Sequence, residues 1–332
     1  MKISSIFIIL PLLAILTMTT GCKPKVPKIG ILIHSYENER WIKDKNYLVE
    51  NLTKLGAEVM DADAGGDQNK QFTQAQEMIK KGAKVLIVAA ANSDQASRIV
   101  DMAHESKVKV IAYDRLINGC KLDYYISANS TQIGELMTSY VTSLKPEGKY
   151  ALIPGSKYDN NAQRIFLGQM NVLQPYMESG DIQVVYSEFT EAWTTAEGEL
   201  HTKRILEQNP DITAIIAGSD AITNGVLKVL KENGLENKVF VTGQDAEIVN
   251  VKNVMNGTQT CDILKPLKEM AQVTAELAMD VAQDKPITIK FTTESNGKSL
   301  VKSVLLEAIV VNKNNVQSTV ISSGFHTAAE LN

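Results

Sequence analysis

The chain of 332 residues is 44% hydrophobic and 22% charged, which provides enough apolar material for a folded core and excludes a disordered protein. Its formal net charge of -4 provides no basic surface for neutralising phosphates, so we do not expect nucleic acid as a partner. The length suits two medium domains or one large one.

The first residues predict export from the cytoplasm. Lys2 precedes an apolar run over residues 3–16 that is too short to span a bilayer and is typical of a signal peptide. The sequence Thr-Thr-Gly-Cys follows and ends at Cys22, which resembles a lipoprotein cleavage box. We therefore predict a lipoprotein signal peptide over residues 1–22, lipidation of Cys22, and a solvated tether over residues 23–27.

The alternative is an ordinary secretory peptide that is cut elsewhere. Thr19 stands where a lipoprotein box usually has Leu, which keeps this alternative open. In both cases the protein leaves the cytoplasm. We expect a periplasmic or cell-surface protein that is attached to the membrane by a lipid anchor only.

Two cysteines remain in the mature chain, Cys120 and Cys261, and an exported location would permit a disulfide between them. They lie far apart in sequence and in different predicted segments of the fold. We therefore expect two free thiols, because a disulfide needs Cα atoms within about 7 Å.

Short runs rich in Val and Ile alternate with longer segments of helical periodicity, the pattern of a parallel α/β sheet. The predicted strands of the first half span residues 29–33, 85–89 and 108–113. The predicted helices between and after them span residues 41–55, 71–81 and 95–106.

The same pattern then starts again. The predicted strands of the second half span residues 150–153, 212–217 and 239–242, followed by a helix over 272–283 and a late strand over 301–311. We therefore predict two similar doubly wound parallel-sheet lobes, joined by a hinge of three crossings with a cleft between them.

The lobes are expected to be discontinuous in sequence. We assign residues 28–128 plus 264–306 to lobe one, and residues 129–263 plus 307–330 to lobe two. No long linker or low-complexity block separates the halves, so the hinge should consist of short crossing segments.

Polar and aromatic residues cluster just after the predicted strands, where loops face a cleft and the scaffold holds them rigidly. Carboxylates and amides combined with Arg or Lys can form bidentate hydrogen bonds to sugar hydroxyls. The clusters are Glu39-Arg40-Trp41, Asp114-Arg115, Asp159-Asn160-Asn161, Ser219-Asp220 and Gln244-Asp245.

Several of these residues have a structural interpretation too. Trp41 and Trp193, one in each half, could pack in a core, although we favour stacking on the apolar face of a sugar ring. For Asp114, Asp159 and Asp245, capping of a helix N-terminus is as good an interpretation as ligand binding.

Catalysis finds little support in the sequence. It contains no Gly-x-Ser-x-Gly elbow, no P-loop and no Gly-x-Gly-x-x-Gly after the first strand, and its four histidines lack metal-ligand spacing. We therefore expect neither a metal nor a cofactor. Asp159 and Asp245 could imitate the carboxylate pair of a glycosidase, so a carbohydrate-active enzyme is kept as a third hypothesis.

At these loops the chain resembles the type I periplasmic sugar-binding proteins of bacterial ABC uptake systems, and among them the D-xylose binders. The resemblance covers nearly the whole mature chain. It is carried by Glu39-Arg40-Trp41-x-Lys43-Asp44, Ala112-Tyr113-Asp114-Arg115-x-Ile117-Asn118, Asp159-Asn160-Asn161-Ala162, Gly168-Gln169-Met170, Gly243-Gln244-Asp245-Ala246, Gly257-Thr258-Gln259-Thr260, Lys265-Pro266 and Val311-Asn312-Lys313-Asn314-Asn315.

The resemblance implies a set of binding residues. Ser219 stands where the xylose binders have Asn, and the loop over residues 34–38 also differs from the family pattern, which puts strict xylose selectivity in doubt. The implied ligand-binding residues are Arg40, Trp41, Asp114 and Arg115 in lobe one, and Asp159, Asn161, Trp193, Ser219, Asp245 and Lys265 in lobe two or near the hinge.

The resemblance also implies partners. The ligand would be a monosaccharide, with a pentose expected, and the closed form would be recognised by an ABC-type permease. A membrane sensor kinase is the alternative partner. We expect a monomer.

Overall fold

The structure is a computed structural model that describes residues 26–331. The predicted signal peptide, Cys22 and most of the predicted tether lie outside the described residues. No helix within residues 26–331 combines the length and hydropathy needed to cross a membrane.

Strands and helices alternate along most of the chain. The strands are β1 (Lys28–Ile33), β2 (Glu58–Asp63), β3 (Val85–Val88), β4 (Lys109–Tyr113), β5 (Tyr124–Ala128), β6 (Gly148–Ile153), β7 (Ile182–Ser187), β8 (Ala214–Ala217), β9 (Phe240–Val241), β10 (Asp262–Leu264), β11 (Thr292–Ser295), β12 (Leu300–Leu306) and β13 (Ile309–Val311). The helices are α1 (Glu39–Lys54), α2 (Gln68–Lys80), α3 (Ser97–Glu105), α4 (Ser130–Leu144), α5 (Asn160–Ser179), α6 (Thr195–Gln208), α7 (Asp220–Glu232), α8 (Ile248–Asn256), α9 (Leu267–Ala282) and α10 (Ala328–Leu331), with a π-helical turn over Gln317–Ile321.

Two sheets organise the fold. The larger has the order β11-β12-β5-β4-β3-β1-β2 and the smaller β7-β6-β8-β9. All neighbours are parallel except β11, which is antiparallel to β12. In both sheets the first strand lies between the second and the third, so the two lobes have the same winding. The prediction of two similar parallel-sheet lobes is confirmed.

The chain passes between the sheets three times: from β5 to α4, from β10 to α9, and from β12 to β13. The prediction of a single late strand over residues 301–311 is wrong, because two separate strands occupy this region. β12 joins the large sheet beside β5, whereas β13 pairs antiparallel with β10. The residue-level lobe boundaries given above stay a prediction.

Strands β2, β5, β7, β10 and β11 have no counterpart among the sequence predictions. β2 and β7 are edge strands whose residues are largely half-buried or exposed, so their composition is too polar for a continuous apolar run. Central strands such as β3, with all four residues buried, carry the strong pattern instead.

The large sheet is covered on both faces. Its side chains alternate between two cores: Ile87 packs in the core that also holds residues of α1 and α9, and Leu86 packs in the core with residues of α2 and α3. Both Cys120 and Cys261 are buried and free, as expected.

Glycines set the distance between two pairs of helices. A Cβ on Gly168 of α5 would lie 2.0 Å from the carbonyl oxygen of Thr131 in α4, and a Cβ on Gly134 would lie 2.1 Å from that of Ile165. Where α6 crosses α7, a Cβ on Gly198 or on Gly225 would likewise collide with a backbone carbonyl oxygen of the other helix. These helix backbones are therefore in direct contact, and any side chain at the contact must push them apart.

This contact predicts that Gly168→Ala lowers the free energy of unfolding by about 2 to 3 kcal/mol, because an added methyl meets backbone that has no room to move. The matched control is Gly180→Asn at the end of the same helix. Gly180 has φ +82° and open space around its Cβ position, and Asn accepts that backbone conformation, so its effect should stay below about 1 kcal/mol. Urea unfolding followed by circular dichroism measures both. Equal effects of the two variants would contradict the close helix contact.

Candidate functional site

The ten ligand-binding residues implied by sequence line one cavity between the two sheets. The space left between their paired side chains has a volume of about 20 Å³, and Asn38 and Gln244 complete its lining. Gln244 belongs to the Gly-Gln-Asp-Ala segment that carries the resemblance, and Asn38 directly precedes α1. Gln244 thus lies within a segment already singled out and Asn38 lies directly beside one, but neither was included in the implied set.

Asp114 is the centre of the polar network in this cavity. Its side chain pairs with Arg40, accepts a hydrogen bond from Asn161 Nδ2 (3.1 Å), and lies 3.5 Å from Lys265 Nζ. Burial alone would raise its pKa, but the positive charges of Arg40 and Lys265 outweigh burial and hold the pKa of Asp114 well below its usual range. Asp114 is therefore a carboxylate that can only accept hydrogen bonds.

The backbone of Asp114 is held in an unusual conformation. Its φ is +61°, in the left-handed region that few non-glycine residues adopt. Its carbonyl oxygen accepts hydrogen bonds from Tyr125 Oη (3.0 Å), Ser127 Oγ (2.9 Å) and Asn161 Nδ2 (3.0 Å). Three donors on one carbonyl stabilise the turn that directs the carboxylate into the cavity.

Arg40 is positioned by a residue outside the implied set. Asp44, one helical turn further along α1, accepts a hydrogen bond from Arg40 Nε at 2.9 Å and another from Tyr113 Oη. Burial raises the pKa of Asp44 to about 6, against the opposing effect of Arg40. Asp44 was visible in the sequence as part of the Glu39–Asp44 segment, but its position does not reach the cavity.

Arg115 connects the two lobes. Its Nε lies 2.9 Å from Asp159 Oδ2 as an ion pair, although the N–H is not aligned for a hydrogen bond. Its Nη1 donates to the carbonyl oxygen of Ala90 (3.1 Å), and its Nη2 lies 3.1 Å from His34 Nε2. Burial and the charge of Arg115 keep the pKa of His34 well below its ordinary value, so His34 is neutral and its Nε2 accepts.

Two residues of the candidate site, Asp159 and Ser219, cap helices and line the cavity at the same time. Asp159 caps α5 by accepting from Asn161 N (2.9 Å), and it also accepts from Trp193 Nε1 (3.2 Å) within the cavity. Ser219 caps α7 by accepting from Ile222 N (3.4 Å) while it lines the cavity. The capping interpretation is wrong for Asp114 and Asp245, because neither is a helix N-cap.

The two tryptophans differ in surroundings. Trp41 is only 3% exposed and packs in a core cluster, with the guanidinium of Arg40 4.1 Å from its ring centre, so it combines packing with a place in the cavity wall. Trp193 is half-buried, and its ring lies over Gly155, where a Cβ would come within 2.0 Å of ring atoms. Only glycine at position 155 leaves room for this ring.

Asp245 is presented by a strained loop. Asp245 and Ala246 have φ values of +106° and +50°, which side-chain-bearing residues rarely adopt. Two buried carboxyl groups hold the following backbone: Asp220 accepts from Glu247 N (2.7 Å), and Asp262 accepts from Ala246 N (3.2 Å). Burial and the neighbouring Asp262 raise the pKa of Asp220 well above its ordinary value, so Asp220 keeps its proton.

The cavity has balanced charge. Three cationic side chains face three carboxylates across it, and the remaining polar lining consists of amides and one hydroxyl. Such a lining suits an uncharged ligand with many donors and acceptors. No group of three or more His, Cys, Asp or Glu within residues 26–331 could hold a metal ion.

Comparison with known proteins agrees with this geometry. A family model described as periplasmic binding protein domain matches residues 29–286. The chain is 37% identical over 332 residues to the D-xylose-binding periplasmic protein of Escherichia coli (strain K12), covering 100% of both chains.

Solved structures resemble the fold as well. A solute-binding protein of an ABC transporter from Clostridium phytofermentans, solved with bound β-D-glucose, is 26% identical with a TM-score of 0.84, covering 92% of this chain and 100% of that one. The fructose-binding periplasmic domain of a hybrid two-component system, BT1754, is 23% identical with a TM-score of 0.78, covering 90% and 95%. Since the family model spans most of the chain and the Escherichia coli relative matches over its full length, this chain belongs to the periplasmic binding protein family.

Proposed function

We propose that this protein binds a monosaccharide, first of all D-xylose, between its two lobes and delivers it to an ABC-type permease. The observation that carries the proposal is the convergence of all ten implied residues on one cavity of balanced charge. The name of the full-length relative, a D-xylose-binding periplasmic protein, supports the same ligand.

The chemistry of the cavity suits a sugar. Each hydroxyl of a sugar both donates and accepts, so it can bridge a carboxylate such as Asp114 to a cation such as Arg40 or Lys265. Trp41 and Trp193 provide ring surfaces for the C–H groups of the sugar. Because the ring is neutral, each charged side chain of the cavity would keep a partner, either an opposite charge or a sugar hydroxyl.

The proposed closure of the lobes depends on the positions of the ligand-binding residues in both lobes. Arg40, Asp114 and Arg115 extend from the large sheet, whereas Asp159, Asn161 and Asp245 extend from the smaller one. A sugar that bridges both sets stabilises the closed arrangement over any open one. The closed form is then the state that a membrane partner recognises.

A binding role fits this cavity better than catalysis. Glycoside hydrolysis needs one carboxylic acid that can donate a proton. Of the pair considered above, Asp159 is paired with Arg115 and Asp245 lies 3.4 Å from Lys265 Nζ. The neighbouring Asp114 is held ionised. We propose that the protein is not an enzyme. Release of nitrophenol from nitrophenyl glycosides, lost in Asp159→Asn, would overturn this.

The partner could instead be a sensor kinase. The structural similarity to a fructose-binding domain of a two-component system extends to the fold alone at 23% identity, so the permease is our first proposal. Purification of membrane complexes in the presence of the sugar, followed by mass spectrometry, separates the two. We further propose that the protein is an exported monomer, anchored through lipidated Cys22.

Titration calorimetry of the mature chain tests the ligand. We expect tight, saturable binding of D-xylose and weaker binding of L-arabinose, D-ribose, D-glucose and D-galactose. Binding of another of these sugars without xylose would keep the mechanism and change the ligand. No detectable binding of any of the five sugars would contradict the proposed class of ligand.

Asp245→Ala and Arg115→Ala should each weaken sugar binding by about 2 to 4 kcal/mol, because each change leaves buried polar partners unpaired in the closed cavity. Asp245 Oδ1 lies 3.4 Å from Lys265 Nζ, and Arg115 pairs with Asp159. Trp193→Ala should cost somewhat less.

The matched controls for these variants are Asp211→Ala and Arg204→Ala, whose side chains are 65% and 48% exposed and form ion pairs at the surface, away from the cavity. Both controls should bind sugar as the parent does. Unchanged affinity in the cavity variants would show that the site lies elsewhere.

Ser219→Asn tests selectivity. Asn also caps helices well, so α7 should be retained while the longer amide enters the cavity. We expect the ratio of D-glucose to D-xylose dissociation constants to rise by about tenfold, because the amide takes space and adds a hydrogen bond suited to the smaller ring. Ser219→Thr, which keeps the hydroxyl cap without an amide, is the control. An unchanged ratio in Ser219→Asn would remove Ser219 from the specificity determinants.

A further inference from the structure

The loop that carries Asp245 is held from two sides. Ala246, the next residue, is fully buried and also has a positive φ. Its N–H donates to Asp262 Oδ1 (3.2 Å), and its carbonyl oxygen lies 2.7 Å from His326 Nε2. A carbonyl oxygen can only accept, so His326 Nε2 carries a proton and donates it. Side chains from distant parts of the chain therefore hold both polar backbone groups of Ala246.

The other ring nitrogen of His326 contacts lobe one. Lys43 Nζ, on α1, lies 3.0 Å from His326 Nδ1, and an ammonium group can only donate. Nδ1 is therefore the acceptor, which agrees with donation by Nε2. The other two donors of Lys43 reach the carbonyl oxygen of Phe325 (2.9 Å) and Glu39 Oε1 (3.1 Å). These contacts determine both the tautomer and the orientation of the His326 ring.

The charge state of His326 agrees with this tautomer. The residue is only 1% exposed. Burial and the charge of Lys43 lower the pKa of His326 from its ordinary value, and they outweigh the Ala246 carbonyl, Glu39 and Glu330, which raise it. The imidazole is therefore neutral at pH 7, with one donor and one acceptor.

These contacts connect the two lobes. α1 packs in the core against the large sheet, whereas the Asp245 loop follows β9 of the smaller sheet. Glu39, also on α1, accepts from Ile248 N (3.3 Å) just beyond the loop. The start of α1 thus holds this part of lobe two directly through Glu39, and indirectly through Lys43 and His326.

The position of the loop matters for the cavity. Asp245 Oδ1 lies 3.4 Å from Lys265 Nζ and 3.7 Å from Arg40 Nη1, so a small shift of the loop changes both ion pairs. The positive φ values of the loop persist only where surrounding contacts compensate their strain. Without His326, the buried carbonyl of Ala246 would lose its side-chain donor.

We propose that His326 is a positioning residue for sugar binding, which links Lys43 of lobe one to the Ala246 carbonyl and thereby holds the Asp245 carboxylate in the cavity. The proposal rests on the proposed function, since it needs Asp245 to bind the ligand. His326 is not among the residues that line the cavity. It acts through the loop and does not touch the sugar.

Substitution of His326 tests the role by calorimetric titration with D-xylose, or with whichever of the five sugars the parent binds. His326→Leu removes the donor and the acceptor, and should weaken binding by about tenfold. His326→Gln retains an N–H donor and an acceptor, and should bind within about threefold of the parent. A merely structural role would lower the unfolding temperature without changing the affinity of the folded protein.

His201→Leu is the matched control. His201 is also buried, at 3% exposure, and its Nδ1 lies 2.6 Å from Tyr186 Oη, but the residue belongs to α6 and does not line the cavity. Its substitution should lower stability and leave sugar affinity unchanged. An equal loss of affinity in both leucine variants would overturn the positioning role of His326.

Lys43→Met tests the connection to lobe one. It keeps the aliphatic stem but removes the donor to His326, and should weaken sugar binding by about threefold. The double variant with His326→Leu should bind within about twofold of His326→Leu alone, because Lys43 acts through His326. Lys54→Met on the same helix is the control, since Lys54 is 68% exposed and pairs only with Glu50 among the printed ion pairs of α1; it should bind as the parent does.

The outcomes separate the two proposals. Affinity equal to that of the parent in His326→Leu would overturn the positioning role and leave the proposed function intact. If His326→Leu does not fold, unchanged affinity in Lys43→Met overturns the role in the same way. Absence of all sugar binding by the parent would overturn the proposed function, and the positioning role with it.

Discussion

The ion pairs around Asp114 are the interaction on which the rest of the site depends. Burying a carboxylate is costly unless opposite charges and hydrogen bonds surround it. Arg40, Lys265 and Asn161 meet this requirement from three different parts of the chain. These partners extend from both lobes and from a crossing segment, so the contacts of one carboxylate connect the two lobes.

The surrounding structure is organised to hold these groups in place. Asp114 and Asp245 both have positive φ values, and in each case buried hydrogen bonds support the neighbouring backbone. Asp44 likewise holds the Arg40 side chain in place by accepting a hydrogen bond from its Nε. Strain at such positions persists only where the surroundings compensate it, so the site is preorganised before any ligand enters.

The sequence by itself determined the two similar lobes and the central strands, because buried parallel strands have an unbroken apolar pattern. The ten cavity residues followed from the resemblance of several segments to sugar-binding proteins, and not from spacing alone. It missed the polar edge strands β2 and β7, and it merged β12 with β13, since a change of sheet leaves no mark in local composition. Asp159 and Ser219 serve as caps and line the cavity at once, which a local pattern presents as alternatives. Only the tertiary structure decided the support of the site by Asp44, Asp220 and Asp262. Those features depend on contacts between residues far apart in the chain, and no spacing within one segment encodes them.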